Sequence, residues 1–68
     1  MVYDFTKAEI EFINENANFD ERQQEVFNRL TDRKGRQSIV QMSMEMNLST
    51  ATISRIVKQV KKKIIKIV

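Results

Sequence analysis

Apolar residues recur along this chain at helical spacing, and each recurrence is preceded by a start signal. Thr6 and Glu9 form a T-x-x-E capping box, flanked by Phe5 and Ile10 where a hydrophobic staple belongs. Ile10, Ile13 and Ala17 follow on one side, with Phe12 near its edge, which predicts a helix over 6–16. Asp20 and Gln23 open a second box, and Val26, Phe27 and Leu30 continue it over 20–33, with Gly35 as a natural stop. Ser38 and Gln41 open a short third helix over 38–46, carrying Ile39, Met42 and Met46. Asn47 tolerates a left-handed backbone and is placed to end it. Ser49 caps the last helix, 49–67, with Thr52 as a weaker partner than Glu would be.

The last helix keeps one apolar stripe throughout. Ile53, Ile56, Val57, Val60, Ile64, Ile67 and Val68 all fall within roughly 60° of Ile53 at about 100° per residue. Ala51, Ser54, Arg55, Lys58 and Lys62 lie opposite. The fold expected is all-α: a single compact four-helix domain over 1–68 containing a helix-turn-helix, with a long C-terminal recognition helix. Composition supports this, since the 68 residues include no Pro and one Gly, leaving few sharp turns. Residues 31–37 are the longest loop expected.

Charge sharpens the picture. Residues 1–30 hold seven acids against three bases, a net −4, whereas residues 31–68 hold nine bases against two acids, a net +7. Such asymmetry points the second half toward a polyanion. With neither His nor Cys, the chain lacks the commonest general base, thiol nucleophile and metal ligands, so no enzyme, metal or cofactor is expected. MVYDFTKAE does not resemble a signal peptide and no run is long enough to span a bilayer, so a cytoplasmic location without membrane contact is expected.

The pair 38–46 and 49–60 has the spacing of a helix-turn-helix, in which one helix braces a second whose front reads the major groove. Met42, Met46, Leu48, Ile53 and Ile56 supply the apolar positions where two such helices meet, and Ser43 is small where they approach closely. Thr50, Ala51 and Ser54 keep the front of the second helix short, as close approach to DNA requires.

Residues 38–64 resemble the helix-turn-helix of the C-terminal, −35-reading region of bacterial sigma factors, most closely in STATISRIVKQVKKKI. The same stretch is similar to the LuxR-type DNA-binding domain, and STATISR to Trp-repressor-like motifs. FDERQQEVFNRL resembles the helix that precedes the motif in the first two groups. Ser43 stands where those families usually have Ala, Asn47 where they have Gly, and Gln41 and Met44 where acids are common. No counterpart of the domain with which a complete sigma factor opens promoter DNA is found, so a small, self-contained regulator is the nearer analogy.

Carried over by position, the resemblance implies that Thr50, Ala51, Ser54, Arg55 and Lys58 face DNA bases. Arg55 is the candidate for direct readout, its guanidinium fork matching the O6 and N7 acceptors of guanine. Arg36, Gln37, Ser38, Thr52 and Lys62 are the candidates for phosphate contact. Arg55 has a structural alternative in pairing with Asp32 or Glu45. Lys63 points toward the margin of the core rather than the basic face.

The expected partner is double-stranded DNA, bound sequence-specifically by a transcriptional regulator. A sigma-region mimic that contacts RNA polymerase or an anti-sigma partner is the alternative. A membrane-surface role is disfavoured, because no Trp marks a boundary and a Ser/Thr-rich helix start has no use on lipid. A homodimer through Ile64, Ile65, Ile67 and Val68, which crowd the end of the last helix, is a subsidiary expectation.

Overall fold

A computed structural model of the chain describes residues 4–32 and 37–67. Among the described residues the chain forms four α-helices and no strand: α1 (Lys7–Asn16), α2 (Glu21–Thr31), α3 (Ile39–Met46) and α4 (Thr50–Ile67). The all-α, compact four-helix expectation holds.

The helix starts follow the local chemistry of the chain. Thr6 Oγ1 accepts the Glu9 N–H at 3.2 Å while Glu9 Oε1 accepts the Thr6 N–H at 2.8 Å. Asp20 and Gln23 exchange the same two bonds at 2.8 and 3.1 Å, and Ser38 and Gln41 at 3.2 and 3.0 Å. Each box satisfies donors that a helix start would otherwise leave unpaired. At α4 only half of the box is possible. Ser49 Oγ accepts the Thr52 N–H at 3.1 Å, and the Thr52 hydroxyl, 2.9 Å away, meets Ser49 Oγ instead of reaching back to the backbone.

One boundary differs from expectation. Helix α2 ends at Thr31, not at residue 33, and Asp32 is extended with φ −68° and ψ 113°. The Thr31 hydroxyl donates to the carbonyls of Phe27 at 2.8 Å and Asn28 at 3.4 Å, and the Gln37 N–H reaches the Arg29 carbonyl at 3.5 Å. The Asn28 and Arg29 carbonyls are thus taken up by donors other than those that another turn of helix would have brought. An acid at the next position, facing the negative end of the helix dipole, also discourages extension. The expected stop at Gly35 lies outside the described residues.

Helix α4 is the strut on which α1, α2 and α3 all pack. Its stripe meets the others in one core of Ile13, Ala17, Val26, Phe27, Leu30, Met42, Ile53, Ile56, Val60 and Ile64. Val57 and Ile67, on the shoulders of the stripe, are half-buried against this core. The Phe27 ring is fully enclosed, with the Phe19 ring centred 5.2 Å away and the Phe5 ring 6.3 Å away. Phe5 and Ile10, the expected staple, both pack on the core edge. Truncating a side chain such as Phe27 to Ala costs roughly 3–5 kcal/mol, a large share of the stability of so small a domain.

Candidate nucleic-acid interface

The turn between α3 and α4 sets the direction of α4, and two residues hold it. Asn47 is left-handed, with φ 56° and ψ 45°. Its N–H and that of Leu48, the latter at 3.1 Å, both point to the Ser43 carbonyl. This is the pattern of a Schellman-type helix end, with Asn in the place Gly usually takes. The Ser43 hydroxyl donates to the Leu48 carbonyl, so one residue secures the turn through main chain and side chain together. Ser43 is thus small enough for the close approach of the two helices and finds a partner for its hydroxyl in the turn.

Beyond the turn, Met42, Ile53 and Ile56 are buried between the helices, and Met46 and Leu48 pack on their edge. The other face of α4 is open. Thr50, Ala51, Arg55, Lys58 and Lys62 are exposed, and Ser54 is half-buried. Ala51, Ser54, Arg55, Lys58 and Lys62 lie on the side of the helix away from Ile53, Val60 and Ile64 and share one surface, while Thr50 is exposed at the helix start, about 60° from Ile53 on the wheel. Thr52 is half-buried with its hydroxyl engaged by Ser49, which leaves it at the rim of that surface.

Arg55 forms no hydrogen bond or ion pair among the described residues, so the alternative of pairing with Asp32 or Glu45 is not taken up. Glu45 is instead drawn to Arg29, whose Nη1 lies 3.5 Å from its carboxylate. Arg29 also reaches Glu25 at 3.1 Å and donates to Gln37 Oε1 at 2.9 Å. With its oxygen held there, the Gln37 amide nitrogen keeps both donors for an external acceptor. Ser38 is exposed and engaged in its capping box at the start of α3. Arg36 lies outside the described residues.

Three features escaped the sequence reading. Arg29 joins α2 to the end of the loop and to α3, but its partners are brought together only by folding. Asn18 is left-handed, at φ 55°, and ends the α1 region as Asn47 ends α3; an Asn directly after the last apolar position, Ala17, was the available signal. Gln23 is 6% exposed and joins a polar seam with Gln59 and Lys63. Its i, i+3, i+4 relation to Val26 and Phe27 placed it on the inner face, which the search for apolar residues passed over.

Of the residues expected at a dimer interface, Ile64 is buried in the core of its own chain at 1% exposure, which corrects that expectation. The regular stripe it shares with Val60 carries it inward. Ile65 is 62% exposed, Ile67 is half-buried, and Val68 lies outside the described residues. Among the described residues no group of three or more acidic, His or Cys side chains gathers as a metal site would need. No described helix is long and apolar enough to cross a membrane.

No known family model matches the chain, and no curated protein or solved structure is significantly similar to it. The resemblance to sigma-factor and LuxR-type motifs therefore rests on the sequence of 19–30 and 38–64 alone.

Proposed function

We propose that the chain is a sequence-specific double-stranded DNA-binding protein, acting as a transcriptional regulator, with the first turns of α4 laid in the major groove. The observation that carries this reading is the open face of α4. Its front is built of short side chains, its one arginine has no intramolecular partner among the described residues, and its opposite face is sealed into the core. A helix that served packing alone would have no use for a small, hydroxyl-bearing front followed by unpaired cations.

In this reading Arg55 reads a guanine edge through two parallel N–H bonds, and Thr50 and Ala51 are small enough to meet a thymine methyl. Ser54 and Lys58 extend the reading surface. The Gln37 amide, Ser38, the free N–H groups at the start of α3, and Lys62 farther along α4 take phosphates and set the register. Arg36 and Thr52 complete the set proposed for the backbone.

Selection from a random duplex library at near-physiological salt tests the proposal. The expected result is enrichment of a short motif containing a guanine whose preference is lost with Arg55→Ala. Failure to enrich any sequence, with affinity no better than that of an unrelated basic protein, would overturn it.

A further inference from the structure

Helix α1 has an outward side that the DNA reading does not use. Phe5, Ala8, Glu9, Phe12 and Ile13 line an open groove of about 270 Å³. Ile13 is its sealed floor at 1% exposure, and Phe12 its wall at 50%. Residues 8, 9, 12 and 13 fall on one side of a helix, and the staple folds Phe5 back beside them. The groove itself carries the carboxylate of Glu9, and exposed Glu15 lies one turn on from Phe12; Glu11 is on the far side of the helix, and Lys7 is the only base of α1.

The last turns of α4 carry the opposite arrangement. Ile65 is 62% exposed, with Lys61 one turn before it on the helix surface and Lys66 next to it in the chain, while Lys58 and Lys62 belong to the face proposed for DNA. None of these lysines forms an ion pair among the described residues, whereas Lys63, on the inner margin, is held by its own chain. One chain therefore bears an apolar groove bordered by Glu9 and Glu15 and an apolar knob flanked by Lys61 and Lys66. Groove and knob are both open in the same folded chain, so their mating joins two copies.

We infer that the α1 groove of one copy receives Ile65 and its flanking lysines from a second copy, and that a two-fold pair makes this contact twice. A two-fold arrangement closes on itself and needs one surface that is its own complement, which a chain carrying both halves supplies. Opposed charges at such a rim contribute specificity and encounter rate more than affinity, so the pair is weak and salt-sensitive. It also leaves the front of α4 free, since Ser54 and Ile65 are about 16 Å apart along the helix axis. The inference goes beyond the DNA reading and does not depend on it.

Sedimentation equilibrium of the full chain, over a wide concentration range at low and high salt, tests it. The expected result is a mass that climbs toward the dimer at low salt, with the dissociation constant raised about tenfold at high salt by screening. Phe12→Ser and Ile65→Ser, both at exposed positions and checked by circular dichroism for retained helix, should each return the protein to the monomer. Mixing the two variants should restore association in part, because a mixed pair keeps one intact groove and knob. A strict monomer at every concentration would overturn the inference, as would a mixture that fails to associate. A dimer lost with Ile65→Ser but kept with Phe12→Ser would mean that two α4 ends pair with each other. A monomer that binds an added basic amphipathic peptide in the groove would assign it to a different protein.

Discussion

The Lys63 ammonium lies 2.6 Å from Oε1 of Gln23, a residue forty positions earlier in the chain. It also donates to the Asn18 carbonyl at 2.8 Å and stands 6.0 Å above the Phe19 ring centre. Gln23 Oε1 takes the Asp20 N–H as well, and its amide donates to Gln59 at 3.0 Å. Lys63 thus fastens α4 to the α1–α2 connection, and its charge is spent within the fold.

Adjacent lysines should therefore behave differently. Lys63→Ala is expected to lower the stability to urea by about 1 kcal/mol, the value of charge-assisted bonds discounted for partial exposure. It should leave the salt dependence of DNA binding unchanged. Lys62 has no such partners, and Lys62→Ala should keep stability while reducing the slope of log affinity against log salt by about one unit. Equal salt slopes for the two variants would remove Lys62 from the phosphate-binding set.

For Arg55 the separation of folding from binding is sharper. Since its guanidinium bonds to nothing among the described residues, Arg55→Ala should leave the unfolding midpoint within experimental error. Binding to a selected duplex should weaken by roughly 1–3 kcal/mol, with preference relaxed at one base pair. Arg55→Lys should recover non-specific affinity but not the base preference, because an ammonium lacks the bidentate fork. Competition titrations against duplexes altered at single positions measure both effects.

Glu9 sets a pH dependence whose sign follows from its bonds. Hydrogen bonds from the Thr6 backbone first, and from the Thr6 side chain second, hold its carboxyl below the usual carboxylate range. A group with a depressed folded-state pKa contributes stability that is fully present above its unfolded pKa and lost as pH falls through the folded one. Glu9→Gln keeps an acceptor for the Thr6 N–H but does not titrate. The difference in urea midpoint between the parent and Glu9→Gln should therefore be constant near neutrality and shrink on acidification below the ordinary carboxylate range. A difference that does not change with pH would show that Glu9 caps as a neutral acceptor only.

What the sequence conveys and what it hides divide along a physical line. The starts of α1, α2 and α3 are written in residues three apart, as is the half-box at Ser49, and all stand in the structure. The stripe of α4 is equally local, and it separates Ile53, Val60 and Ile64 from Ala51, Arg55 and Lys58 without knowledge of the fold. Contacts between distant residues carry no such mark. Nothing in the sequence pairs Lys63 with Asn18 or Arg29 with Glu45, because helix packing chooses those partners. The end of α2 is a mixed case. Gly35 is an evident stop in the sequence, but α2 ends at Thr31, where the Thr31 hydroxyl and the Gln37 N–H take terminal carbonyls and Asp32 turns extended, a competition between side chain and backbone that propensity alone does not rank.

The α3–α4 turn gives the last test, because it links stability to the direction of α4, the helix proposed to read DNA. Ser43→Ala keeps the close approach of the two helices but removes the donor that meets the Leu48 carbonyl, and should cost about 1 kcal/mol of stability. Asn47→Ala places an ordinary side chain in a left-handed backbone and should cost about 1–2 kcal/mol, while Asn47→Gly should restore or exceed the parent stability. Ser43→Leu is the decisive variant. Its added methylenes have no space where α3 meets the turn, so the helices must part or tilt, at a cost of roughly 1–3 kcal/mol. Under conditions where it stays folded, with helical content near the parent value, its specific DNA affinity should fall more than its non-specific affinity, since only base contacts depend on the angle of α4. A folded Ser43→Leu variant that kept the full specificity ratio would show that α4's approach to DNA is not set by this turn.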